Sequence, residues 1–131
     1  MSANAEATKW IFLLTGGIAG TAARYVVART IFHTFGSRFP FGTLGVNLTG
    51  CLALGFFAIL SEENTFFSPD TRLLLLVGFC GAYTTFSTWI LETDLLIKQG
   101  QIGLVLVNVI GSVAAGFLLF RTGVALGRLF L

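Results

Sequence analysis

The sequence predicts an all-α membrane protein with four transmembrane helices, the third of them broken mid-membrane. Three observations carry this. Hydrophobic residues fill 55% of the 131 positions and charged residues only 11%, against about 25% charged in an average soluble domain. The apolar residues form four separate runs, each close to the roughly 20 residues that a helix needs to cross a bilayer. The third run holds glycines followed by a dense cluster of hydroxyls. This composition excludes a disordered chain and a disulfide scaffold. A net charge of +2 is too small and too dispersed for a nucleic-acid surface, so no nucleic-acid partner is expected.

The first run extends from Trp10 to Phe35, with Arg24 and Arg29 in its second half. Lys9 before Trp10 to Leu14 has the look of a signal peptide. Gly16 and Gly17 weaken that core, however, and the apolar stretch continues to Tyr25, which favours an uncleaved first helix. The second run, Phe39 to Ser61, is uninterrupted by charge, and so is the third, Leu73 to Leu91. The fourth begins near Gln101 and meets its first charge at Arg121. Polar punctuation at 36–38, 61–72 and 92–101 gives short linkers, so neighbouring helices run antiparallel. Membrane barrel strands alternate apolar and polar positions, and these continuous runs do not. No repeat or domain boundary interrupts the chain, and residues 1–131 read as one transmembrane domain.

Small-residue spacings at Gly16 and Gly20, Ser112 and Gly116, and Gly123 and Gly127 suit close helix contact. Four helices of this size cannot easily wall off a polar path alone, which points to more than one copy. The basic residues near helix ends divide almost evenly: Lys9, Arg72, Arg121 and Arg128 on one side, Arg29, Arg38 and Lys98 on the other. So weak a bias permits insertion either way up, and with it a pair related by an axis in the membrane plane.

Polar residues inside the spans carry the chemistry. Arg24 is the one charge well inside a run; it either snorkels to the interface or draws anions to a vestibule. Glu92 and Asp94 read as interfacial. Asn47, Asn108 and Ser112 offer donors and acceptors, as helix glue or as ligand contacts. In the third run, Gly78-Phe79-Cys80-Gly81-Ala82-Tyr83-Thr84-Thr85-Phe86-Ser87-Thr88-Trp89 can leave helical geometry, because Gly tolerates unusual angles and hydroxyls satisfy freed backbone groups. Carbonyls released there suit a hard cation. Phe86 and Trp89, three apart, share a face, and the positive edges of such rings suit an anion. Cys51 and Cys80 read as free thiols. No Cys/His ligand set and no catalytic arrangement around the single histidine, His33, appear in the spacing, so an enzyme is not expected.

These residues together resemble the CrcB/Fluc fluoride channels of prokaryotes over nearly the whole chain. The matching blocks are Gly16-Gly17-Ile18-Ala19-Gly20 with Arg24, Gly42-Thr43-Leu44-Gly45-Val46-Asn47, the third-run motif, and Val109-Ile110-Gly111-Ser112. The resemblance implies a dual-topology antiparallel homodimer in the cell (inner) membrane, with two fluoride pathways. It also implies a central Na+ that is structural and not transported, held by main-chain carbonyls that fall on Gly81 and Thr84. The pore phenylalanines align with Phe86 and Trp89, the latter a departure from the usual Phe that either narrows the path or donates a hydrogen bond. The pore asparagine aligns with Asn47, and Ser112 and Thr88 with a polar track. Asn108 stands where some members carry His or Tyr, and Arg24 matches an arginine near the entrance.

The implied function is passive fluoride export down its gradient, with fluoride and membrane lipid as partners. Such a pore replaces tightly held water with close donors, and a dry constriction rejects larger anions. Two other readings compete. A small cation or drug exporter needs an embedded carboxylate, and none is evident in the early spans. A non-transporting scaffold gives no reason for hydroxyls to crowd a glycine-bearing span.

Overall fold

The computed structural model describes residues 3–63 and 67–131. All the regular structure in them is helical. Helix α1 (Ala3–Phe35) is followed by α2 (Phe41–Glu63). The third span is split into α3 (residues 69–83) and α4 (Phe86–Lys98). The fourth, α5 (Ile102–Arg128), completes the bundle. At 1.5 Å per residue, the 33 residues of α1 make a rod of about 50 Å, longer than the hydrocarbon core of about 30 Å. It begins before Trp10 because Ala5, Glu6, Ala7 and Lys9 are good helix formers that need no lipid around them. Four helices are long and apolar enough to cross a membrane.

Apolar surface replaces the usual polar exterior. Trp10, Ile18, Val77, Ile110, Phe117 and Leu118 all lie exposed. The chain is a multi-pass membrane protein, and its turns are tight: Gly36 and Gly100 adopt positive φ (76° and 71°) where α1 and α4 end. At the opposite end, Ser68 caps α3 by accepting the Thr71 N–H at 3.1 Å, and the Arg72 guanidinium donates to the Ser61 carbonyl at the end of α2. In the last turn of α4, Lys98 pairs with Asp94 at 2.5 Å.

Glycines set how closely the helices meet. A Cβ on Gly16 would lie 2.1 Å from the Leu74 carbonyl oxygen, and one on Gly20 2.3 Å from that of Phe79. Helices α1 and α3 are therefore in backbone contact. Helices α2 and α5 form the other close pair: a Cβ on Gly55 would lie 2.1 Å from the Phe120 oxygen, and one on Gly123 2.1 Å from that of Leu52. The Gly16/Gly20 and Gly123/Gly127 spacings are thus genuine contact faces, whereas Gly116 meets only the Cys51 thiol at 3.4 Å. In lipid, where apolar association gains little, such close approach is what holds helices together.

Two stretches depart from α geometry while remaining helical. Leu73–Cys80 in α3 and Val107–Gly111 in α5 have π-type turns, which often occur at functional sites.

Candidate functional site

The third span breaks at two threonines. Thr84 (φ −86°, ψ 160°) and Thr85 (φ −148°, ψ 121°) are extended, and Thr85 caps α4. The sequence places the break among Gly78, Gly81 and the hydroxyls. The glycines, however, stay helical: Gly81 has φ −63°. Gly78 serves close packing, since a Cβ there would lie 2.7 Å from the Leu13 oxygen. The β-branched pair takes the extended conformation that such side chains favour. Its hydroxyl then replaces the lost backbone acceptor, for Thr85 Oγ1 accepts the Thr88 N–H at 3.3 Å and donates to Thr88 Oγ1 at 3.0 Å.

Asn47 spans the break from α2. Its Nδ2 donates to the Thr85 carbonyl at 3.0 Å, and its Oδ1 accepts the Thr85 N–H at 2.8 Å. One carboxamide thus satisfies both backbone groups of an unwound residue, which membrane depth otherwise penalises. Nδ2 keeps its second hydrogen for another acceptor. Gly50, one turn on, lets the unwound chain lie against α2: a Cβ there would come 2.2 Å from Thr84 Cγ2. The Tyr83 hydroxyl, 2.8 Å from Thr49 Oγ1, adds a further link to α2.

Beside the break is a cavity of about 300 Å³, lined by Asn47, Cys51, Leu54, Thr85, Phe86, Trp89 and Ser112, among others. Four of the residues singled out from sequence therefore meet: Asn47, Phe86, Trp89 and Ser112. The Phe86 and Trp89 rings lie 5.4 Å apart, tilted by 39°. Phe86 is 72% exposed in the single chain. Ser112 Oγ is buried and has no hydrogen-bond partner. The walls thus combine aromatic rings with an amide hydrogen, an unengaged hydroxyl and no charged side chain, which is the equipment for drawing an anion out of water without trapping it.

The other two path candidates lie elsewhere. Thr88 is exposed on α4 and reaches the cavity wall only through its contact with Thr85. Arg24 lines a separate groove with Arg29, Thr43 and Glu92. Glu92, read from sequence as interfacial, faces α2 along this groove: its Oε1 accepts the Thr43 hydroxyl at 2.8 Å, and its Oε2 is buried without a partner.

Gly81 and Thr84, the candidate cation ligands, occupy the end of α3 and the break. The donors that an α-helix would supply to their carbonyls are diverted. The Thr85 N–H goes to Asn47 and the Thr88 N–H to Thr85 Oγ1, while the Thr84 N–H bonds the Cys80 oxygen at 3.1 Å. Two carbonyls at the break thus lack their helical donors, and the donor chemistry fits a hard cation such as Na+. Among the described residues no three His, Cys, Asp or Glu side chains cluster, so main-chain oxygen is the ligand type on offer here.

Sequence reasoning missed Thr43, Gly50, Cys51 and Leu54. Helical spacing carries the signal: with Asn47 they form one stripe at intervals of three and four along α2. Thr93 and Glu92 follow Trp89 on α4 by the same rule.

Fold and site define a class: small four-span membrane proteins whose third span unwinds to build a polar cavity with aromatic walls. The chain matches the family described as CrcB-like protein, Camphor Resistance (CrcB), over residues 11–124. It is 43% identical over 121 residues to the fluoride-specific ion channel FluC of Maridesulfovibrio salexigens, covering 92% of this chain and 96% of that one. It is 42% identical to FluC of Chlorobium phaeobacteroides (87% and 88% covered) and 44% identical to FluC of Trichormus variabilis (87% and 84% covered). The chain belongs to the CrcB/FluC fluoride-channel family, whose members are not enzymes.

Proposed function

We propose that the chain is a fluoride-selective channel that lets fluoride leave the cell passively, relieving its toxicity. The observation that carries this is the cavity at the break, where Asn47, Phe86, Trp89 and Ser112 converge. A fluoride ion holds water tightly, so a path for it has to offer several donors at short range. Asn47 keeps one amide hydrogen free and Ser112 an unengaged hydroxyl, while the ring edges of Phe86 and Trp89 supply a weaker positive potential. Arg24 and Arg29 place positive charge at a groove beside Glu92, where they concentrate anions before entry. Thr88 extends the hydroxyl track outward from Thr85.

The working unit is an antiparallel homodimer inserted with dual topology. The near-even division of basic residues supports this, as does the exposure of Phe86, whose ring needs a second wall to bound a path. A structural Na+ sits between the two copies, held by the Gly81 and Thr84 carbonyls of each. The ion supplies a fixed positive charge that ties the two unwound segments together.

Liposomes loaded with fluoride and monitored by a fluoride electrode test the reading. Efflux through the purified protein, without proton coupling and with chloride retained, is the expected result. Liposomes as tight as protein-free ones would overturn it. The dimer and ion have their own test. Exchanging Na+ for N-methylglucamine at equal ionic strength should lower the thermal midpoint and release monomers, and an unchanged midpoint would remove the ion.

A further inference from the structure

Trp89 and Asn108 are joined in a closed ring that the channel reading does not require. Trp89 Nε1–H on α4 donates to the Asn108 carbonyl on α5 at 3.3 Å. Asn108 Nδ2 donates to Thr93 Oγ1 at 2.9 Å, and Thr93 Oγ1 donates back to the Trp89 carbonyl at 2.7 Å. Asn108 is only 1% exposed. Its carbonyl also receives the Ser112 N–H, so both lone pairs are used. The ring sits at the π-type stretch Val107–Gly111, where α and π patterns compete and an outside hydrogen bond can decide the register.

Resting on the channel reading above, we propose that Trp89 is a positioning residue: its indole N–H is committed to Asn108 and not to the permeating ion. The bond fixes the tilt of the Trp89 ring against Phe86 and anchors the turn that presents Ser112 to the cavity. Asn108 closes the ring through Thr93, and its own Oδ1 is left buried without a partner, so the side chain is oriented by Thr93 alone. A benzene ring at position 89 would keep the wall and lose the tether.

The experiment uses the full-length protein with the indole nitrogens labelled with 15N. A Trp10→Phe background leaves Trp89 as the single indole signal. That signal should stay fixed as sodium fluoride is added and should move in Thr93→Val, which opens the ring. Thr93→Ser, which keeps the hydroxyl, should restore it and also covers the case where the valine variant fails to fold. Trp89→Phe, which keeps the wall and loses the tether, should lower the thermal midpoint in detergent, through the loss of one net hydrogen bond. An indole signal that shifts with fluoride would make Trp89 a ligand and overturn the proposal, as would an unchanged midpoint in Trp89→Phe. Wild-type protein that passes no fluoride would sink the channel reading instead, and the indole signal would still report on the ring.

Discussion

Asn47 offers the sharpest test of how the break is held. Asn47→Ala removes both hydrogen bonds to Thr85, at 3.0 and 2.8 Å, and strands an N–H and a C=O at membrane depth. Each unsatisfied buried backbone group costs about 1–3 kcal/mol, which gives about 2–6 kcal/mol for the pair. Ordinary interhelical side-chain bonds in membranes average only about 0.6 kcal/mol, because the unfolded helices find other partners. The larger figure applies here because these groups belong to a backbone that cannot re-form its helix while Thr84 and Thr85 remain extended. Asn47→Asp separates the two bonds. It keeps the acceptor for the Thr85 N–H but sets a second acceptor against the Thr85 carbonyl and puts negative charge on the anion's path. Thermal unfolding in detergent, followed by tryptophan fluorescence, reads stability, and fluoride-electrode efflux reads function. Both variants should melt earlier than wild type, and the aspartate should pass less fluoride than the alanine. An alanine variant that melts and conducts like wild type would refute the bridging role of this carboxamide.

Three further outcomes follow from the geometry. Phe86→Ile, which removes the exposed ring beside Trp89, should slow efflux about tenfold or more, equivalent to about 1.4 kcal/mol on the barrier; the same liposome assay checks it. Gly55→Ala places a methyl 2.1 Å from the Phe120 oxygen and should cost about 1–3 kcal/mol through displaced helices. Gly103→Ala, which meets nothing within 4 Å, should change stability by about 0.5 kcal/mol or less, and parallel thermal melts compare the two. Thr43→Val removes the donor to Glu92 Oε1 and should destabilise by about 1–3 kcal/mol, as expected when a buried acceptor loses its partner; Thr43→Ser should recover most of the loss in the same melt.

Much of this architecture was legible because lipid imposes a simple rule on sequence. Runs of apolar residues must be helices, so the four spans lie where the sequence puts them, but their ends differ: polar helix formers extend α1 back to Ala3, the Ser68 cap with Pro at the first turn starts α3 before Leu73, and α4 continues past Leu91 to Lys98. The glycine pairs Gly16/Gly20 and Gly123/Gly127 were readable as contact faces, though not their partners, since Gly55 and Gly78 have meaning only once two helices are set side by side. The break was legible as a region and not as a position. Glycine permits unwinding, but close packing against α1 holds Gly78 helical, and the conformational preference of adjacent threonines decides the place. Asn47, Phe86, Trp89 and Ser112 were found by residue type and motif, and the structure brings them to one cavity. What the Asn47 carboxamide does with Thr85, and what the Trp89 indole does with Asn108, depends on contacts between residues 38 and 19 positions apart. No periodicity within one helix encodes these. The partner of Glu92 was equally hidden, since the Thr43 hydroxyl that its carboxylate accepts belongs to α2.

The two halves of the third span answer to different neighbours. Residues 69–83 are bolted to α1 through glycine contacts, whereas α4 is laced to α5 by the indole. Helix α2 holds both sides of the join between them: Thr49 meets the Tyr83 hydroxyl before it, and Asn47 grips Thr85 after it. The span is thus two short helices with separate anchorages on one shared post, so a substitution that loosens one half leaves the other seated.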